Sequence, residues 1–220
     1  MHTKIVHSPL TLKSLIEYSI TNFADCTSVS FVDCCPLTYR QLGEKIEEIS
    51  AILFSFGLEK GDKVAIFSQN MPNWVAAYFA VVSKGLIVVP ILPDFTSAEV
   101  ENVLTHSETK ILFVSERLAP KVSNIVIPDL KVKISLDHIS ILDNYSKKSE
   151  KVVNYNEIEV AEDDIAAIIY TSGTTGRSKG VVLTHKNIAF VAMQSYTVQA
   201  INNEDVFLSF LPLSHTYENS

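Results

Sequence analysis

An α/β fold, a mostly parallel sheet with flanking helices, is predicted by three observations. Apolar runs of strand length alternate with helix-period segments along most of the chain. The strand runs are apolar at consecutive positions, as in strands buried on both faces. The chain has 220 residues, 47% of them hydrophobic and 20% charged, long and apolar enough to bury a core in one domain or two small ones.

The elements follow in order. Leu12 to Phe23 reads as a helix and Ser28 to Asp33 as a strand. Thr38 is the expected N-cap of a second helix, with Gln41 completing a capping box, apolar residues at Leu42, Ile46, Ile49, Leu53 and Phe56, and Gly57 closing the end. The turn Gly61-Asp62 leads to a strand at Val64–Phe67, a helix from Pro72 to Lys84 and a strand at Ile87–Ile91. Thr96 to Ser107 reads as a helix, Lys110–Val114 as a strand and Ile125–Ile127 as a short one. From Pro128 to Glu162 the pattern weakens, and the polar run Asn144 to Lys151 reads as a surface connection. No internal repeat or convincing domain boundary appears, so the chain is treated as one folding unit.

Asn73 to Leu92 is about as long as a membrane span. Lys84 near its centre costs roughly 2.5–3.5 kcal/mol on insertion scales, and Gly85 and Pro90 divide the run. A buried helix followed by a buried strand is expected, with no transmembrane segment. The net charge of -7 and pI near 5.4 give no basic surface for nucleic acid or anionic lipid. Cys26, Cys34 and Cys35 fit no zinc spacing or common disulfide framework, and no secretory signal is visible in the first residues. A cytoplasmic location is the expectation. His2, His7, His106, His138 and His185 show no metal-ligand spacing.

The chemistry concentrates in Tyr170-Thr-Ser-Gly-Thr-Thr-Gly-Arg-Ser-Lys-Gly180. Three of the chain's seven glycines, Gly173, Gly176 and Gly180, fall within it, among hydroxyl residues and Lys179. A polyphosphate needs many donors at close range: glycines let backbone N–H groups approach, hydroxyls donate from several directions, and lysine adds a charge. Apolar runs at Ile165–Ile169 and Val181–Leu183 make this a loop slung between two strands, after which Thr184 caps a helix through Ile188 and Phe190. A Walker A loop would require Gly-Lys-Ser/Thr leading into a helix, whereas here Lys179-Gly180 leads into a strand. The dinucleotide fingerprint is absent. His185 falls in the first turn of the following helix rather than in a catalytic position.

This loop, with Val181-Val-Leu-Thr-His-Lys-Asn-Ile188, resembles the signature of the adenylate-forming superfamily of acyl-CoA synthetases, luciferase and peptide-synthetase adenylation domains. Phe210-Leu-Pro-Leu-Ser-His-Thr-Tyr-Glu218 resembles the family segment whose histidine lies beside the acyl-adenylate site, and it leans toward the long-chain fatty acyl-CoA synthetases. Weaker resemblance at Leu37-Thr-Tyr39, Gly61-Asp-Lys-Val-Ala65 and Asn70-Met-Pro-Asn-Trp74 extends it over nearly the whole chain.

The resemblance implies two half-reactions. A fatty acid carboxylate attacks the α-phosphorus of ATP, releasing pyrophosphate, and the thiol of coenzyme A then displaces AMP from the acyl-adenylate. Magnesium accompanies the nucleotide. Thr171, Ser172, Gly173, Thr174, Thr175, Gly176 and Lys179 would hold the ATP phosphates, while His215 and Glu218 belong to the acyl and adenylate site. Ser178 stands where the family commonly has proline, which removes no donor. Family members continue well past the position of Ser220, with the adenosine contacts, a magnesium-binding glutamate and a C-terminal domain carrying a catalytic lysine. Residues 1–220 are therefore expected to be a partial adenylation domain, the incomplete N-terminal domain of the acyl-CoA synthetase/luciferase fold, inactive alone. A non-catalytic remnant, or one half of a split enzyme with a separately encoded C-terminal half, is the alternative. An unrelated phosphate-binding hydrolase is a third. Peripheral membrane contact is compatible with a fatty acid substrate.

Overall fold

The computed structural model describes residues 9–34, 36–146, 154–171, 179–198 and 205–215. Five helices are described: α1 (Leu12–Asn22), α2 (Tyr39–Ser55), α3 (Pro72–Val82), α4 (Ser97–His106) and α5 (His185–Val198). The strands are β1 (Thr27–Val29), β2 (Leu37–Thr38), β3 (Lys63–Phe67), β4 (Ile87–Ile91), β5 (Ile111–Val114), β6 (Val132–Ser135), β7 (Ser140–Asn144), β8 (Ile165–Thr171) and β9 (Lys179–Thr184).

Local chemistry explains where the helices begin. Thr38 Oγ1 accepts from the Gln41 N–H at 3.2 Å while Gln41 Oε1 accepts from the Thr38 N–H at 2.9 Å, the reciprocal box that starts α2. Thr96 and Glu99 repeat it at α4, and Thr184 with Asn187 repeats its geometry at α5. Helix α2 stops where Gly57, at φ +68, takes the left-handed conformation.

The main sheet has the order β7-β6-β5-β3-β4-β8-β9. The four pairings from β6 to β8 are parallel, and only the outer strands β7 and β9 run antiparallel. This is the mostly parallel α/β sheet expected. Alternate residues of the central strands feed two cores. Val64, Ile66, Val88, Ile111 and Phe113 pack with α1, α2 and α3 on one face. Ala65, Phe67, Val89, Leu112 and Val114 pack with α4 on the other. The central strands thus bury both faces, which is why their sequences lack period-2 alternation.

Lys84 explains the run that is long enough for a membrane. It is buried just past α3, where its Nζ lies 2.7 Å from Glu47 Oε1 on α2 and 5.2 Å above the Tyr155 ring. Among the described residues no helix is long and apolar enough to cross a membrane.

Three expectations are corrected. The strand expected at Ser28–Asp33 ends at Val29 and pairs only with β2, in a separate two-stranded sheet. Asp33 has φ +58, and Ser30 Oγ donates to the Cys34 carbonyl, so the chain turns there with Phe31 and Val32 exposed. Ile125–Ile127 is not a strand. Its alternation, with Ile125 and Ile127 buried and Val126 exposed, comes from a loop laid over the second core. The weak stretch after Pro128 instead contains β6, in which Lys133 is buried. Its Nζ donates to the Val122 carbonyl at 2.8 Å and pairs with Asp143 of β7 at 3.2 Å. Of the polar run Asn144 to Lys151, residues 147–151 lie outside the described residues.

His185 is fully buried at the start of α5, its Nδ1 accepting from the Leu12 N–H at 3.3 Å. Burial pushes its pKa down to about 4 from 6.5; Asp164 opposes this shift and Lys60, paired with Asp164, adds to it. The unfolded chain therefore binds the extra proton at higher pH than the folded one. This contribution to stability is present above pH 6.5 and is lost as pH falls toward 4, by roughly 2–3 kcal/mol over that window. Two carboxylates titrate lower. The Leu10 N–H and then Lys186 hold Glu162 below its usual range, while burial of Asp164 is outweighed by hydrogen bonds from Lys60 and Ala161. Chemical denaturation between pH 7 and 5 is expected to show falling stability in the native chain and a flatter profile in His185→Asn, which keeps an acceptor near Nδ1 without a titrating ring. An equal slope in both would assign the pH dependence elsewhere.

Candidate functional site

In parallel α/β sheets the carboxyl ends of the strands emerge along one edge, and ligands bind in the crevice there. Here β3, β4, β5, β6 and β8 all point to that edge. The glycine-rich loop leaves from it. Strand β8 ends at Thr171, β9 begins at Lys179, and these two residues face each other in the last rung of an antiparallel ladder. Both are exposed. The two strands expected on either side of this segment are therefore observed. Ser172, Gly173, Thr174, Thr175 and Gly176 lie outside the described residues, as does Glu218.

The second candidate segment reaches the same edge through Asn70, three residues past the end of β3. Asn70 Nδ2 donates to the Leu211 carbonyl at 2.7 Å and to Ser209 Oγ at 3.1 Å, and its Oδ1 accepts from the Leu213 N–H at 2.8 Å. One side-chain amide thus satisfies both a donor and an acceptor of the passing backbone, as a neighbouring strand would. Leu213 packs against the first core and Ser214 is buried, so the segment is anchored up to His215. His215 itself is exposed, and its N–H donates to the Pro212 carbonyl at 2.8 Å. Adjacent strands lie about 4.8 Å apart, so β3 and β8, with β4 between them, are roughly 10 Å apart.

Other contacts stiffen this edge. Ser115, just past β5, donates through Oγ to Gln69 Oε1 at 2.7 Å, and Asn73 Nδ2 donates to the carbonyls of Leu136 and Asp137 beyond β6. The motif Asn70-Met-Pro-Asn-Trp74 therefore acts as a clasp: Asn70 holds the 209–213 segment, Pro72 opens α3, and Asn73 holds the end of β6. Sequence reasoning assigned Asn70 no role. The available signal was an amide residue directly after an apolar strand, where a carboxyl-edge loop must satisfy backbone groups that have left the ladder.

Known proteins resemble this chain in sequence and in fold. A family model described as AMP-binding enzyme matches residues 16–220. The chain belongs to the AMP-binding enzyme family. It is 34% identical over 203 residues to long chain acyl-CoA synthetase 1 of Arabidopsis thaliana, covering 81% of this chain and 30% of that protein. It is 29% identical over 201 residues to fatty acyl-CoA synthetase A of Dictyostelium discoideum, covering 84% and 30%. The inhibitor-bound N-terminal domain of FACL13 from Mycobacterium tuberculosis superposes with a TM-score of 0.79 at 25% identity, covering 95% of this chain and 53% of that one. The chain thus spans about a third of the length of these curated relatives.

Within this AMP-binding enzyme chain, the docking of residues 209–213 depends on one side chain. Asn70→Ala removes three hydrogen bonds and is expected to lower stability by about 1–3 kcal/mol. Amide hydrogen exchange in residues 209–215 should speed up more than in β3 or β4. Uniform exchange across the chain would refute the clasp.

Proposed function

We propose that this chain supplies the phosphate-binding loop and part of the acyl site of an ATP-dependent fatty acid CoA ligase. One observation carries the reading: the rung Thr171–Lys179 and the Asn70-held segment ending at His215 lie on one carboxyl edge, two strands apart. A nucleotide's phosphates at the loop and a carboxylate at the segment would meet across that spacing. Relatives named as fatty acyl-CoA and long chain acyl-CoA synthetases favour a fatty acid as the carboxylate.

In this reading a fatty acid carboxylate oxygen bonds to the α-phosphorus of ATP, and the bond to the pyrophosphate oxygen breaks. A thiol sulfur, that of coenzyme A, then bonds to the acyl carbon and AMP leaves. The chain's part is positioning and charge neutralisation. The Lys179 ammonium and the hydroxyls of Thr171, Ser172, Thr174 and Thr175 would donate to the β- and γ-phosphates, with Gly173 and Gly176 bringing backbone N–H groups close. His215 would line the acyl end and Glu218 the adenylate beside it. Magnesium enters as the nucleotide's counter-ion; the described residues gather no three His, Cys, Asp or Glu side chains that would hold it. Residues 1–220 are read as one partial adenylation domain.

A second reading, one half of a split enzyme or a binding module, is favoured by a specific surface. Edge strand β9 exposes Val181 and Val182, and α5 beside it exposes Phe190 and Val191, apolar side chains at an edge of the sheet. A separately encoded C-terminal half would cover it.

Calorimetric titration with magnesium pyrophosphate tests the phosphate role. Lys179→Ala is expected to weaken binding about tenfold or more, the effect of losing one charge-assisted hydrogen bond; equal affinity would remove Lys179 from the site. With ATP, magnesium and palmitate the 220-residue chain is expected to release little pyrophosphate, whereas ATP turnover without any carboxylate would indicate a hydrolase instead.

The exposed edge has its own outcome. Sedimentation should show the chain self-associating, and Val182→Lys should reduce this by placing charge on the open edge. A monomeric native chain with a sharp cooperative melt would argue against a surface awaiting cover.

A further inference from the structure

Tyr170 is the residue at which the phosphate loop joins the protein interior. It precedes Thr171 on β8, is 4% exposed, and packs in the second core beside the α4 residues Val103 and Leu104. Across the ladder it faces Gly180. A Cβ at Gly180 would come within 3.3 Å of the Tyr170 ring and 3.0 Å of Ile168 Cγ2, so the ring lies against the Gly180 backbone. Glycine leaves room for that close approach, whereas a side chain would make the ring or Ile168 give by a few tenths of an ångström. The rung next to Thr171–Lys179 is therefore packed against one aromatic ring.

The far end of that ring is tied to another element. Tyr170 Oη lies 2.7 Å from Nδ1 of His106, the last residue of α4, and the rings meet edge-on with centroids 5.7 Å apart. His106 is otherwise an exposed side chain. Burial pushes the Tyr170 phenol above its ordinary range, so it is a neutral hydroxyl that donates to an unprotonated Nδ1 or accepts from a protonated one.

We infer that His106 is a positioning residue for the phosphate loop, acting through the Tyr170 hydroxyl to fix the ring packed against Gly180, one rung from the Thr171–Lys179 pair. This rests on the reading that the loop binds polyphosphate. A donor set that neutralises developing charge works best when held in place beforehand, and the ring packs against Gly180, the neighbour of Lys179 in the chain. Because His106 is exposed, its replacement leaves the cores intact, and an effect on the loop is separable from an effect on folding.

The test is magnesium pyrophosphate affinity, with amide hydrogen exchange over residues 170–171 and 179–181, in the native chain and in His106→Ala, His106→Asn, Tyr170→Phe and the double variant His106→Ala/Tyr170→Phe. His106→Ala and Tyr170→Phe are each expected to weaken binding roughly two- to tenfold, the range for one hydrogen bond, and to speed exchange at the hairpin base. The double variant should be no worse than the more affected single one. His106→Asn, whose amide reaches the place of Nδ1, should recover most of the affinity. Native affinity in both single variants would overturn the inference even if exchange quickens, since the pair would then be a structural contact only; Lys179→Ala would still report on the phosphate site. Absence of pyrophosphate binding in the native chain would overturn both the phosphate-site reading and this inference.

Discussion

The parallel ladder running from β6 through β5, β3 and β4 to β8 is the constraint on which the rest depends. Parallel pairing forces every return crossing onto a face of the sheet and sends every carboxyl end to one edge. The base of the β8–β9 hairpin and the 209–215 segment then reach the same edge. The hairpin from β8 arrives because β8 pairs in parallel with β4, and the 209–215 segment arrives because Asn70 follows β3. Reversing either pairing would send one of them to the opposite end of the sheet.

Two buried lysines support that sheet and the helices on it, and both are matched. Lys133 enters β6 because carbonyls at Val122 and Ser123 and the Asp143 carboxylate receive its ammonium. Lys84 ends α3 against Glu47 and the Tyr155 ring. Burying a charge without partners costs several kcal/mol, so such side chains join distant elements rather than merely tolerating the interior. His185 follows a different route, remaining neutral while it accepts from the first turn of α1.

The two sheet edges are unlike. On one side β7 is exposed but carries mixed residues, among them Ser140, Asp143 and Asn144. On the other, β9 presents Val181 and Val182, and the neighbouring α5 adds Phe190 and Val191. An unpaired backbone row combined with apolar side chains is unfavourable in water. Thr171 and Lys179, which flank residues 172–178, sit on this second edge.

The sequence by itself determined the helix starts at Thr38 and Thr96, the two strands on either side of residues 172–178, and the family, because capping, strand patterning and a signature motif depend on residues only a few positions apart. It did not disclose β6, since a lysine in a buried strand makes sense only once Val122 and Asp143 are beside it. It misread Ser28–Asp33 and Ile125–Ile127, where alternation reflected local burial without a ladder partner. Tertiary structure alone decided the strand order, the hold of Asn70 on residues 209–213, and the contact of His106 with Tyr170. Those pairings join residues 64 to 143 positions apart, and no local preference specifies such a distance; only the packing of the sheet does.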